Sequence, residues 1–273
     1  MTAKWGFLAS LQTWANSRKL KSTPSEGKGH TFESCRVRQL AKYRSDEMNV
    51  VSAQKLKIGI GNADSISALL IQPPQARACF VFAHGAGAGM AHPFMETVAT
   101  GLCDRNVATL RYQFPYMEKA SKRPDSPAVA HAAVKAAVTE AARCCPGLSL
   151  IAGGKSFGGR MTSQAQATAP LAGVVGLALL GFPLHPANKP SDQRAKHLFD
   201  IRVPMLFMQG SNDKLSELKL LQPLIEKLGP SASLHLVQQA DHSFHVPARS
   251  GRNDREVMSE ILDKFSAWIG AIA

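Results

Sequence analysis

Acidic residues are scarce in this chain of 273 residues: 20 Asp/Glu stand against 32 Lys/Arg, a formal charge of +12 with histidine neutral. Such an excess raises nucleic acid or an anionic surface as partners, but the basic residues are dispersed. No run of five of them interleaved with aromatics occurs, and aromatics make up only 7% of the chain. A nucleic-acid footprint needs clustered charge, so no nucleic-acid partner is expected. Long apolar runs are missing too. The longest uncharged apolar stretch, Leu171 to Leu184, is interrupted by glycines and falls short of the ~20 residues that cross a bilayer. No integral membrane segment is expected. Cysteine is sparse and unpatterned: Cys35, Cys79, Cys103, Cys144 and Cys145 are odd in number and show no C-x-x-C spacing. That argues against a disulfide framework and against a zinc site, and it fits a reducing cytoplasm. No metal or organic cofactor is implied.

What is present divides the chain in two. Residues 1–48 form a basic N-terminal extension with nine Lys/Arg against four Asp/Glu, and no acidic residue precedes Glu26. Trp5, Leu8, Leu11 and Trp14 recur at helical spacing, a pattern compatible with a membrane-surface or transit helix. The apolar section is too short for a signal peptide and has no cleavage site. Ser22 to Lys28 reads as a polar linker, and Met48 opens a stretch that reads as a complete domain, so the extension is expected to be flexible or dispensable. Residues 49–273 are expected to form one large α/β domain, for which a chain with 45% hydrophobic residues can supply the core.

Within that domain strand and helix signals alternate. Lys55–Ile60 and Ser65–Ile71 read as a hairpin around Gly61-Asn62-Ala63-Asp64. Ala78–Ala83 is apolar without alternation, as a strand covered on both faces requires. Further strands are expected at Val107–Tyr112, Leu148–Gly153, Val174–Leu180, Val203–Gln209 and Ser233–Val237. The intervening helices fall at Phe94–Cys103, Pro127–Cys145, from about Phe157, at Leu215–Leu228 and from about Asn253. This alternation predicts a mostly parallel central sheet with helices on both faces, and ligands at the carboxyl ends of its strands.

Gly154-Lys155-Ser156-Phe157-Gly158 matches G-x-S-x-G between a strand and a helix, the setting of a nucleophile elbow. A sharp turn there strains the serine backbone, and side chains two before and two after it would collide with neighbouring elements, which Gly154 and Gly158 avoid. Two phosphate-binding readings fail on one residue each. A P-loop needs glycine where Ser149 stands, and G-x-G-x-x-G starting at Gly85 needs its third glycine where Met90 stands.

His84-Gly85-Ala86-Gly87 follows the buried strand Ala78–Ala83, where small residues let backbone approach a substrate carbonyl. The amides of Ala86 and Phe157 are the expected oxyanion donors, each worth about 3–4 kcal/mol in such a site. Asp213 follows the strand ending near Gln209, and His242 follows the last strand. The order Ser, Asp, His with both partners just past strand ends makes Ser156 the candidate nucleophile, His242 the base and Asp213 its orienting acid. His245 is the rival base, Asp241 is expected to brace its loop, and His84 to serve as a structural hydrogen-bonding residue. Lys155 and Arg160 flank Ser156 and are candidates for attracting an anionic substrate, with solvation on a helix face as the simpler expectation.

The block His84-Gly85-Ala86-Gly87, the elbow Gly153 to Met161 and the closing Asp241-His242-Ser243-Phe244 resemble the small α/β hydrolases related to dienelactone hydrolase. They also resemble the hydrolase-like region of a histone acetyltransferase complex subunit. The resemblance covers about residues 50–273 and implies the α/β-hydrolase fold with a triad at Ser156, Asp213 and His242. Dienelactone hydrolase itself carries a cysteine nucleophile where this chain has Ser156. Between the strands ending at Leu180 and beginning at Val203, the segment with Pro183, Pro186 and Pro190 is too short for a helical cap, so a minimal lid is expected. The function expected is cleavage of an ester or thioester of a small-molecule acyl substrate through an acyl-enzyme on Ser156. The alternatives are a peptidase or amidase with the same triad and a non-catalytic binding or scaffold protein on the same fold.

Overall fold

The computed structural model describes residues 51–61 and 64–273. The expected extension at 1–48 and the centre of the first hairpin turn lie outside the described residues. In chain order the elements are β1 (Gln54–Gly59), β2 (Ser65–Ile71), β3 (Ala78–Ala83), α1 (Pro93–Cys103), β4 (Val107–Tyr112) and the single-turn α2 (Pro115–Glu118). There follow α3 (Pro127–Cys144), β5 (Ser149–Lys155), α4 (Phe157–Thr168), β6 (Val174–Leu180) and a 3-10 segment at Gln193–Asp200. β7 (Met205–Gly210), α5 (Leu218–Leu228), β8 (Ala232–Val237) and α6 (Asp254–Ile272) close the chain.

The eight strands form one sheet in the order β1-β2-β4-β3-β5-β6-β7-β8. β1 pairs antiparallel with β2 and β2 antiparallel with β4; every other pairing is parallel. This is the α/β-hydrolase fold.

Side-chain alternation explains why the central strands read as unbroken apolar runs. On β3, Cys79, Val81 and Ala83 enter the layer covered by α3, α4 and α5, whereas Ala78, Phe80 and Phe82 enter the layer covered by α1 and α6. Both layers are dry, so each position is apolar. Phe80 meets Phe265 of α6 edge to face at 4.8 Å between ring centres, and fully burying such a ring is worth about 1.5–3 kcal/mol. α6 begins at a capping box in which Asn253 accepts from the amides of Arg255 and Glu256 while Glu256 returns a bond to the Asn253 amide.

Parallel crossovers carry the carboxyl ends of β3, β5, β6, β7 and β8 to one edge, where the loops bearing the chemistry emerge. The β6–β7 connection holds only the 3-10 segment, a minimal lid. Among the described residues, no helix is long and apolar enough to cross a membrane.

Candidate active site

The strand-to-helix turn at Ser156 is strained as expected. Its φ of 51° and ψ of −113° are held by the Ser156 amide, which donates to the Leu180 carbonyl at 3.0 Å. A non-glycine residue in such a region costs about 1–3 kcal/mol and persists only where its surroundings enforce it. The two elbow glycines are where the turn presses on the end of β3. A Cβ at Gly154 would lie 2.5 Å from the Ala83 carbonyl oxygen, and one at Gly158 would lie 2.6 Å from the carbonyl oxygens of both Ala83 and His84.

Three side chains from three loops meet beside this turn. Ser156 Oγ lies 2.9 Å from His242 Nε2, and His242 Nδ1 lies 2.6 Å from Asp213 Oδ2. Asp213 is buried, with Oδ1 accepting from the Leu215 amide at 2.8 Å and Oδ2 also accepting from Gln209 Nε2. A carboxylate at Nδ1 makes that nitrogen the donor, which leaves Nε2 free to accept from the serine hydroxyl; this tautomer follows from the hydrogen-bond network.

The loop after β3 is tied down at several points. Gly85 backs onto Lys155 and Ser156, the Gly87 amide donates to Tyr116 Oη at 2.9 Å, and the Ala88 amide donates to the Gly85 carbonyl at 3.2 Å. Among the described turns and loops, the Ala86 and Phe157 amides have no protein acceptor. Phe157 is the first residue of α4, so its N–H has no partner within the helix. His84 is buried and links β3 to β4. Its Nε2 accepts from the Phe114 amide at 3.1 Å, so Nδ1 carries the proton and donates to the Gly85 carbonyl at 2.7 Å. Burial pushes its pKa down to about 4, against a small opposing effect of the Gly85 carbonyl.

The remaining candidates separate cleanly. Asp241 accepts from the amides of Ser243 at 2.7 Å and His245 at 3.0 Å, bracing the loop that presents His242. His245 pairs instead with Asp254 at 2.9 Å on the exposed surface. Arg160 is half-buried over the Phe157 ring, 5.9 Å from its centre. Lys155 corrects the expectation of a solvated helix face. It is the last residue of β5, and its Nζ donates to the His242 carbonyl. The ammonium stands 5.1 Å from the ring centre of Phe244 and 5.7 Å from that of Phe94. Burial pushes its pKa down to about 8, opposed by Asp213 and Asp241. Two residues at the site escape a reading of the sequence: Gln209, whose one signal is a polar side chain in an otherwise apolar strand, and Phe94, which the fold brings to the pocket from α1.

A cavity of about 390 Å³ opens onto Ser156 and His242, with Gly85, Ala86, Phe94 and Lys155 in its wall. A larger groove of about 770 Å³ lies between α1 and α6 but reaches neither Ser156 nor His242; proximity to the reactive hydroxyl makes the smaller cavity the functional candidate. Among the described residues, no three His, Cys, Asp or Glu side chains converge as metal ligands.

Comparison with known proteins places this arrangement. The family model described as an alpha/beta hydrolase domain matches residues 76–270. Dienelactone hydrolase from Anabaena variabilis superposes with a TM-score of 0.66 at 20% identity, over 81% of this chain and 99% of that one. An α/β serine hydrolase without a lid from Xanthomonas campestris gives 0.61 at 16% identity, over 80% and 95%. An esterase from Pyrococcus furiosus gives 0.62 at 14% identity, over 80% and 92%. At these identities the likeness is one of fold.

Proposed function

The chain belongs to the alpha/beta hydrolase domain family, and from that premise we propose that it is a serine hydrolase cleaving an ester or thioester of a small acyl group through an acyl-enzyme on Ser156. The observation that carries the reading is the unbroken hydrogen-bond chain from Ser156 Oγ through His242 to buried Asp213. In this reading His242 Nε2 takes the hydroxyl proton as Oγ attacks the acyl carbon. Asp213 fixes the imidazole tautomer and stabilises the imidazolium that forms. The Ala86 and Phe157 amides receive the oxyanion, each contributing about 3–4 kcal/mol, the size of such a donor in a comparable site. His242 then returns the proton to the departing oxygen or sulfur, and water, activated by the same imidazole, releases the acid and restores Ser156.

A cavity of about 390 Å³ and a lid reduced to one 3-10 segment favour a small acyl group over a long lipid chain. The strain at Ser156 supports the choice of nucleophile, since backbone held in a costly conformation clusters at functional positions.

The direct test is labelling with a fluorophosphonate probe, followed by a panel of activated esters, acyl thioesters and aminoacyl amides. The expected result is a single label on Ser156, turnover of esters or thioesters, and loss of both in Ser156→Ala with thermal unfolding unchanged. Folded wild-type protein that takes no label and turns over none of the panel would overturn the reading and leave a binding role.

A further inference from the structure

Lys155 has no task in the acyl-transfer steps just described, yet the fold places its ammonium inside the pocket that holds the nucleophile. Side chains on β5 alternate: Leu150 and Ala152 face the α3–α5 layer, while Ile151 faces the layer of α1 and α6. The strand runs on to residue 155, and that parity sends Lys155 to the α1/α6 side, among Phe94, Met95 and Phe244. There it finds aromatic faces, one carbonyl and little else. Phe94 and Phe244 lie nearly parallel, 6.1 Å apart between ring centres, with the ammonium against both. Gly181 makes the room, since a Cβ at that position would lie 2.6 Å from Nζ.

An ammonium has three donors, and among the described residues Nζ uses one, to the His242 carbonyl. Asp213 and Asp241 attract it at a distance, but neither carboxylate hydrogen-bonds it: both oxygens of Asp213 serve His242, Gln209 and the Leu215 amide, and Asp241 Oδ1 serves the Ser243 and His245 amides. Aromatic faces hold a cation without neutralising it. A half-buried ammonium with no carboxylate in hydrogen-bond contact keeps part of its desolvation cost, and a ligand that brings an anion into contact recovers it. The leaving group must stay within reach of His242, whose side chain is 26% exposed, so it departs toward solvent. The part retained on Ser156 is the part the pocket encloses.

We propose that Lys155 recognises a carboxylate on the acyl portion of the substrate, so that the preferred substrates are half-esters or half-thioesters of short dicarboxylic acids. This rests on the serine hydrolase reading above. Lys155 is then a specificity-determining residue, and its bond to His242 keeps the ammonium pointed into the cavity.

The test compares mono-p-nitrophenyl glutarate with p-nitrophenyl butyrate, which share a leaving group and differ in one carboxylate. For wild-type protein at pH 7 the ratio of kcat/KM should favour the anionic ester by about tenfold or more, as one charge-assisted contact allows. The preference should reside mainly in KM, persist in Lys155→Arg and collapse in Lys155→Met. The ratio within each variant is the readout, so any loss of overall rate through His242 does not confuse it. Should Lys155→Met prove insoluble, the wild-type ratio between pH 6.5 and 9.5 serves instead. It should fall as the ammonium, with a pKa near 8, loses its proton in the company of Asp213, Asp241, His242 and His92. Turnover of both esters with a ratio near one, or a ratio unchanged in Lys155→Met, overturns this inference and leaves the hydrolase reading standing. Failure to turn over either ester overturns this inference, and if Ser156 also takes no fluorophosphonate label and none of the panel is turned over, the hydrolase reading falls with it.

Discussion

At the scale of single residues, the site is organised by what Asp213 accepts. Its Oδ2 receives His242 Nδ1 at 2.6 Å and the Gln209 amide, and its Oδ1 receives the Leu215 amide at 2.8 Å. Asp213→Asn preserves the acceptor for Leu215 but offers one oxygen and one NH2 where two oxygens stood. The imidazole would then present its proton toward Ser156, with no lone pair to take the hydroxyl proton. We expect kcat to fall by about 10⁴, the size of the effect in a serine protease triad, with little change in KM, measured on the best ester of the panel. A loss below tenfold would mean that Asp213 does not set the tautomer. Ser156, Asp213 and His242 could be brought together as candidates from the sequence because they stand one, three and five residues past the ends of β5, β7 and β8, in an order this topology accommodates. The place of Lys155 is not legible there, because a strand expected to end at Gly153 leaves it without a parity, and only the two further residues of β5 decide which face it takes. Gln209 needs its neighbour across the turn before its role can be read.

Among the elements, the segment after β3 shows how a loop is stiffened from beneath. His84 joins the ends of β3 and β4 through Phe114 and clamps the Gly85 carbonyl, and it does so as the neutral ring. Its pKa is depressed from 6.5 to about 4 by burial, as is that of His197, where Arg160 adds to the effect of burial. Above pH 6.5 the ring is neutral both folded and unfolded. As pH falls from 6.5 toward 4 the unfolded chain binds protons that the native state refuses, so stability is lost by about 1.4 kcal/mol per pH unit for each such histidine. Urea unfolding at pH 7.5, 5.5 and 4.5 should show that decline, and His84→Gln, which cannot titrate, should remove one histidine's share of it and leave that of His197. An unchanged slope in the variant would show that His84 is protonated in the native state. β2, β3, β4 and β6 lie where the sequence puts them, since apolar runs between turn residues leave little latitude. The shifted boundaries have local causes. α5 begins at Leu218 rather than Leu215 because the Asp213 side chain captures the Leu215 amide, a local bond that competes with helix formation. β7 begins at Met205, one residue beyond Pro204, which lacks the donor a strand requires. The single turn α2 and the 3-10 segment at Gln193–Asp200 carry too few residues to establish a period.

For the molecule as a whole, the question is how much of the chain the site requires. Among the described residues, the eight strands lie between Gln54 and Val237 and pair with one another. Both apolar layers draw on strands and helices from Ile58 to Ile269, and the two ends of that span close them: β1 and β2 through Ile58 and Ile66, α6 through Phe265 and Ile269. Residues Val50–Ala273 thus contain the eight described strands and the helices described as covering them. A domain of this size buries about 70% of the surface its unfolded chain exposes, enough for a net stability of about 5–15 kcal/mol. We therefore expect a chain starting at Met48 to unfold in one cooperative transition and to label at Ser156 with fluorophosphonate at the rate of the full-length protein. Differential scanning calorimetry and a labelling time course check this. Loss of the transition would show that residues before Met48 contribute to the core. A normal transition with slowed labelling would show instead that they act on the site, which would remove the grounds for treating the basic extension as dispensable.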